Sequence, residues 1–132
     1  RLGYAVVPDD KTKKNIRDKI QPWNVSIPAQ MAGAAALNEK GYVEKTVKLI
    51  KEEKEYLKRE LSKGLCEKIY ASGANYIFFK GREDLKERFI EKGILIRDCS
   101  NFENLEKGFF RICVKKHCEN EEFIRVFKEI KK

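Results

Sequence analysis

Residues 94–114 read Ile-Leu-Ile-Arg-Asp-Cys-Ser-Asn-Phe-Glu-Asn-Leu-Glu-Lys-Gly-Phe-Phe-Arg-Ile-Cys-Val. The runs 94–97 and 109–114 are short, apolar and rich in β-branched or aromatic residues. The stretch 98–108 between them is polar and ends on glycine. The pattern predicts two strands joined by a loop. Toward the N-terminus, Leu85, Phe89 and Ile90 recur at helical spacing within 83–92, and Gly93 ends that helix. Two further strands are expected at 65–70 and 75–80, separated by Ser72-Gly73. Toward the C-terminus, Phe123, Val126, Phe127 and Ile130 place one apolar face on a helix over 119–131. The order β-β-α-β-β-α predicts an α+β domain, with a short, mostly antiparallel sheet and helices packed on one face.

The first half has a different grammar. Residues 2–7 read as a short buried strand ended by Pro8. Asp9 or Asp10 can cap a helix over 10–20, which must stop before Pro22. Residues 21–28 form a loop fixed by two prolines and holding Trp23, a ring too large to be left exposed without a reason. Pro28 suits the first turn of an alanine-rich helix over 29–38, whose small side chains predict burial. A long helix over 42–62 follows, with Val43, Val47, Ile50, Leu57 and Leu61 as one stripe and the pairs Glu44/Lys48 and Glu55/Arg59 outside it. Gly64 fits the position just past its end. A boundary is expected inside this region, with residues 1–35 as the tail of one domain and 36–132 as a second that includes the long helix.

The chain has 132 residues, of which 29 are Lys or Arg and 21 Asp or Glu, for a formal net charge of +8. Charged residues reach 38%, against about 25% in an average domain. Hydrophobic residues still make up 42%, which is enough for one core and argues against disorder. No apolar run approaches the ~18 residues of a membrane span. The opening RLGYAVVPDD lacks the features of an export signal, and it enters an apolar run directly without Met. The chain is therefore expected to be a piece of a longer, cytoplasmic protein. Cys66, Cys99, Cys113 and Cys118 show no CxxC spacing, so free thiols are expected and a metal site is not.

Arg97 and Arg111 are the candidate binding residues. Each stands in or at the end of an apolar strand, where an unpartnered guanidinium is costly. The rigid fork of an arginine matches a carboxylate or phosphate, so two in neighbouring strands make an anion site. The competing readings are an ion pair with a structural acid such as the adjacent Asp98, or side chains turned to solvent. His117 beside Cys118 lies in a polar stretch and reads as a surface histidine. The positive charge leaves a second function class open, a stand-alone basic α+β module binding RNA or another polyanion. Against it, acids and bases alternate along the helices, and there is neither an aromatic RNA-binding signature nor a GxxG clamp.

The ordered series RLGYAV, QPWNVSIPAQ, GILIRDCSNF and FFRICVK resembles the C-terminal part of fold-type I pyridoxal-phosphate enzymes, in the group of histidinol-phosphate aminotransferases and threonine-phosphate decarboxylases. The resemblance covers essentially the whole chain. Residues 94–102 look most like the decarboxylase branch, which acts in cobalamin synthesis. The resemblance implies pyridoxal 5′-phosphate as cofactor, a small phosphorylated substrate and a homodimeric parent, with no nucleic-acid or membrane partner. It assigns Arg1 to the cofactor phosphate, Arg111 to the substrate carboxylate, Arg97 to the substrate phosphate or carboxylate, and Asn24 to a loop near the substrate. The Schiff-base lysine falls outside this sequence, so the chain alone is expected to be inactive.

Overall fold

The computed structural model describes residues 2–64 and 66–130. The chain divides into two compact units, Arg1–Val43 and Glu44–Lys132.

The first unit contains helix α1 (Asp10–Arg17) and helix α2 (Ile27–Asn38). Asp9 caps α1, its Oδ1 accepting the Thr12 N–H at 2.7 Å. Ser26 caps α2 through the Ala29 N–H, with Pro28 in the first turn. Two expectations fail here. Residues 2–7 have no regular secondary structure and belong to no sheet among the described residues, and Tyr4 and Val6 are each 88% exposed. An extended segment becomes a strand only when a neighbour completes its ladder. Helix α2 buries none of its residues, because small side chains permit close approach without supplying a partner. Trp23 is also exposed, on a backbone with φ 61°.

The second unit follows the predicted order. Helix α3 (Tyr42–Leu61) leads into strands β1 (Cys66–Tyr70) and β2 (Tyr76–Gly81), helix α4 (Leu85–Glu91), strands β3 (Arg97–Asp98) and β4 (Phe109–Cys113), and helix α5 (His117–Ile130). The sheet is antiparallel throughout, in the order β1-β2-β4-β3. The predicted strand over 94–97 shrinks to Arg97–Asp98, because only these two residues pair with β4.

Strand alternation sorts the sheet into two faces. Ile77 and Phe79 of β2 and Phe110 and Ile112 of β4 point into the core, where they meet Leu57 and Leu61 of α3, Leu85 and Phe89 of α4, and Ile124 and Phe127 of α5. The α3 stripe is buried only in its second half: Leu57 and Leu61 are fully covered, whereas Val43 and Val47 are exposed. The helix charges also pair differently from expectation. Lys48 meets Glu52 at 4.0 Å and Lys58 meets Glu55 at 3.0 Å.

A polar network ties α3 to α5. Asn120 Nδ2 donates to Glu53 Oε2 at 2.8 Å and to the Lys115 carbonyl at 2.9 Å, while its Oδ1 accepts the Lys115 N–H. His117 Nδ1 lies 2.9 Å from Glu53 Oε1, so the surface histidine is half exposed but anchored. Glu60 receives Lys63 and Lys128 at 2.8 Å each. These hydrogen bonds hold its carboxyl down to about 2 from the ordinary 4.5. A lowered carboxylate stabilises the fold above its unfolded value and loses that contribution on acidification. Stability is therefore expected to fall by about 1 kcal/mol between pH 4.5 and about 2 through this group, the exposed lysines limiting the size. Urea unfolding of wild type and Glu60→Gln across that window checks it, and the variant should show the shallower slope.

Gly108 ends the loop before β4 at φ +88°, and an added Cβ would stand 2.8 Å from the Gly81 carbonyl oxygen. Its own carbonyl accepts the Gly81 N–H at 2.9 Å. Gly108→Ala is expected to cost about 1–3 kcal/mol, measured as a lower denaturation midpoint.

Candidate functional site

The sheet face turned away from the helices carries the candidate site. Tyr70 pairs with Phe78, Phe78 with Arg111, and Arg111 with Arg97, so one row of side chains crosses all four strands. Residues directly opposite in antiparallel strands share a face. Arg97 and Arg111 are therefore nearest neighbours, so the register brings the two candidate residues together. Asp98, the acid that competed for Arg97, lies on the other face opposite Phe110. Its carboxylate accepts the Ser100 N–H at 2.9 Å and lies 3.7 Å from Lys86. The Ser100 N–H, aided by Lys86, holds that carboxyl below its ordinary range.

The second unit contains six arginines. Arg59, Arg82, Arg88 and Arg125 each meet a carboxylate. Arg97 and Arg111 have no carboxylate partner among the described residues. Arg97 Nη2 donates to Asn101 Oδ1 at 3.0 Å and its guanidinium lies 5.6 Å from the Phe102 ring centre. Arg111 lies 4.9 Å from the Tyr76 ring centre. Like charges placed directly opposite destabilise a sheet unless something of opposite sign joins them. Both side chains are exposed, so their donors remain available to an anion from solution.

Neighbouring elements shape the surroundings. A pocket of about 410 Å³ opens beside Arg111, lined by Ser72, Tyr76, Phe78, Phe102 and Leu105. Its β1–β2 loop is gripped from behind by Lys54 of α3, whose buried ammonium donates to the Ser72 carbonyl at 2.7 Å and to the Ala74 carbonyl. Tyr70, Phe78 and Phe109 pack ring against ring along the same face. Cys99 is buried at the pocket wall. Burial pushes its thiol up, and the field of Arg111 and then Arg97 opposes that shift.

Sequence reading missed Lys54, Tyr76, Asn101 and Phe102. The first is one of many lysines on a charged helix, and the others gain meaning only from the register that sets them beside the arginines. Asn24 lies in the exposed loop before α2 in the first unit. Arg1 lies outside the described residues.

The sequence profile described as Aminotransferase class I and II matches residues 1–127. The chain belongs to the class I and II aminotransferase family. Histidinol-phosphate aminotransferase of Methanosarcina mazei is 36% identical over 132 residues, covering 96% of this chain and 34% of that protein. Threonine-phosphate decarboxylase of Salmonella typhimurium is 29% identical, covering 98% of this chain and 36% of that one. The crystal structure of histidinol-phosphate aminotransferase from Clostridium acetobutylicum superposes with a TM-score of 0.84 at 28% identity, covering 92% of this chain and 38% of that chain. The chain thus spans about a third of the length of the curated relatives it matches. The fold read from the sequence, a small α+β piece of a fold-type I enzyme, agrees with this family placement.

Proposed function

We propose that this aminotransferase-family chain is the C-terminal portion of a pyridoxal-phosphate-dependent enzyme acting on a phosphorylated amino acid or amino alcohol. The reaction is of the histidinol-phosphate aminotransferase or threonine-phosphate decarboxylase kind. Residues 1–35 are then the tail of the cofactor-binding domain, and 36–132 the small domain that closes over substrate, in a homodimeric cytoplasmic parent. The observation that carries this reading is the pair of guanidiniums, opposite each other and without carboxylate partners among the described residues.

With an amino-acid substrate Arg111 clamps the carboxylate, and Arg97 takes the substrate phosphate or a second carboxylate oxygen; histidinol phosphate has no carboxylate and offers the arginines its phosphate alone. Arg1 is assigned to the cofactor phosphate by resemblance, and Asn24 to the substrate loop. Bound cofactor supplies an electron sink for the Cα bonds of the substrate. The contribution of this chain is orientation. Two rigid forks on one molecule would fix the orientation of the substrate's Cα bonds, and that orientation would decide between loss of a proton and, from an amino acid, loss of carbon dioxide. The polyanion-binding alternative loses support, because Lys48 and Lys58 of α3 and Arg125 and Lys128 of α5 each meet a carboxylate.

The test is an assay of the full-length protein, loaded with cofactor, for carbon dioxide release from threonine phosphate and for amino transfer from histidinol phosphate. Turnover of one of these, with a large loss when the substrate phosphate is removed, supports the reading. Turnover of neither overturns it.

A further inference from the structure

The two candidate arginines differ from the other four of their unit in the kind of group that orients them. Arg59, Arg82, Arg88 and Arg125 are held by carboxylates, which fix a guanidinium and cancel its charge together. Arg97 is held by the neutral amide oxygen of Asn101 at 3.0 Å, over the Phe102 ring. An amide oxygen takes one N–H of the fork and leaves the net charge and the remaining donors for a ligand.

The segment that presents Asn101 is rigidly tied. The Cys99 N–H donates to the Phe109 carbonyl at 2.9 Å, the Phe102 N–H to the Cys99 carbonyl at 3.0 Å, and the Leu105 N–H to the Phe102 carbonyl at 3.1 Å. Lys80 of β2 reaches Glu106 at 3.2 Å, and the Gly81–Gly108 hydrogen bond closes the far end. Asn101 therefore sits on a fixed loop anchored to both central strands, and is no freely swinging surface amide.

We propose that Asn101 is a positioning residue for substrate binding: it aims the Arg97 guanidinium at the substrate anion while keeping its charge uncompensated, with Phe102 as the shelf beneath. The inference rests on the reading of Arg97 as a substrate-binding group. It separates two properties that a structural asparagine does not. Asn101→Asp keeps the shape but places a carboxylate 3.0 Å from the guanidinium, turning Arg97 into an ordinary ion pair. Asn101→Ala removes the aim and leaves the charge. A packing role makes the isosteric Asp the milder change, and a positioning role makes it the more severe.

The experiment measures kcat and KM of the full-length, cofactor-loaded protein for threonine phosphate and histidinol phosphate, with the inhibition constant of inorganic phosphate as a second readout. Wild type, Asn101→Ala, Asn101→Asp, Arg97→Ala and Arg97→Ala/Asn101→Asp are compared. The expected result is a KM raised about 3- to 10-fold by Ala and more than about 10-fold by Asp. The phosphate inhibition constant should move in parallel, and adding Asp to Arg97→Ala should raise KM far less than adding it to wild type. An Asp variant as good as or better than the Ala variant overturns the proposal while leaving Arg97 as a binding group. An Arg97→Ala variant with unchanged KM overturns the underlying reading of Arg97, and the proposal with it.

Discussion

Arg111→Ala is expected to lower kcat/KM of the full-length enzyme by about 10²- to 10⁴-fold, with little change in cofactor affinity. Two charge-assisted hydrogen bonds at about 1.5–3 kcal/mol each, together with the loss of orientation, give that range. The side chain is exposed and its loss empties no core, so the fold should survive. Its partner in the structure is the Tyr76 ring, an interaction worth about 0.5–1 kcal/mol at an exposed site. The measurement is steady-state kinetics alongside a titration of the cofactor's visible absorbance. Equal activity in the variant removes Arg111 from the site.

Phe89→Ala is expected to cost about 3–5 kcal/mol of folding stability. Phe89 is fully buried and stacks on Phe123 with ring centres 5.0 Å apart and planes 9° apart, and on Phe127 at 6.4 Å. These contacts join α4 to α5 across the helix layer. Truncation leaves a ring-sized void between α4 and α5, and adds the loss of two aromatic pairs at about 0.5–1.5 kcal/mol each to the transfer term. Phe89→Leu should recover more than half of the loss. Because Phe89 faces the layer opposite the arginines, its effect should fall on the denaturation midpoint and leave the KM of the surviving folded enzyme near wild type.

The second unit was legible because its signals are local. Gly93 stops α4, the 2.0-residue alternation of Phe109–Cys113 separates core from open face, and the aromatic spacing of α5 marks its buried side. Arg97 and Arg111 stood out in the sequence as cations in apolar strands, but only the register sets them opposite each other. The first unit was legible only in its helices and their caps. Residues 2–7 and α2 have the composition of buried elements, yet burial depends on a partner surface that local sequence does not specify. Asn101 stayed hidden for a related reason. In the sequence it is one polar residue of a loop, and only the fixed turn after β3 carries its amide to Arg97.

The pairing of the arginines on one ligand is best tested by a double-mutant cycle. The dissociation constant of threonine phosphate or histidinol phosphate, whichever the full-length protein turns over, would be measured for wild type, Arg97→Gln, Arg111→Gln and the double variant. Two forks gripping one doubly anionic molecule should each weaken binding more than about tenfold when removed, with a coupling of about 1 kcal/mol or more between them. Single variants that each weaken binding less than twofold, with additive effects, would contradict a shared anion site on this sheet face.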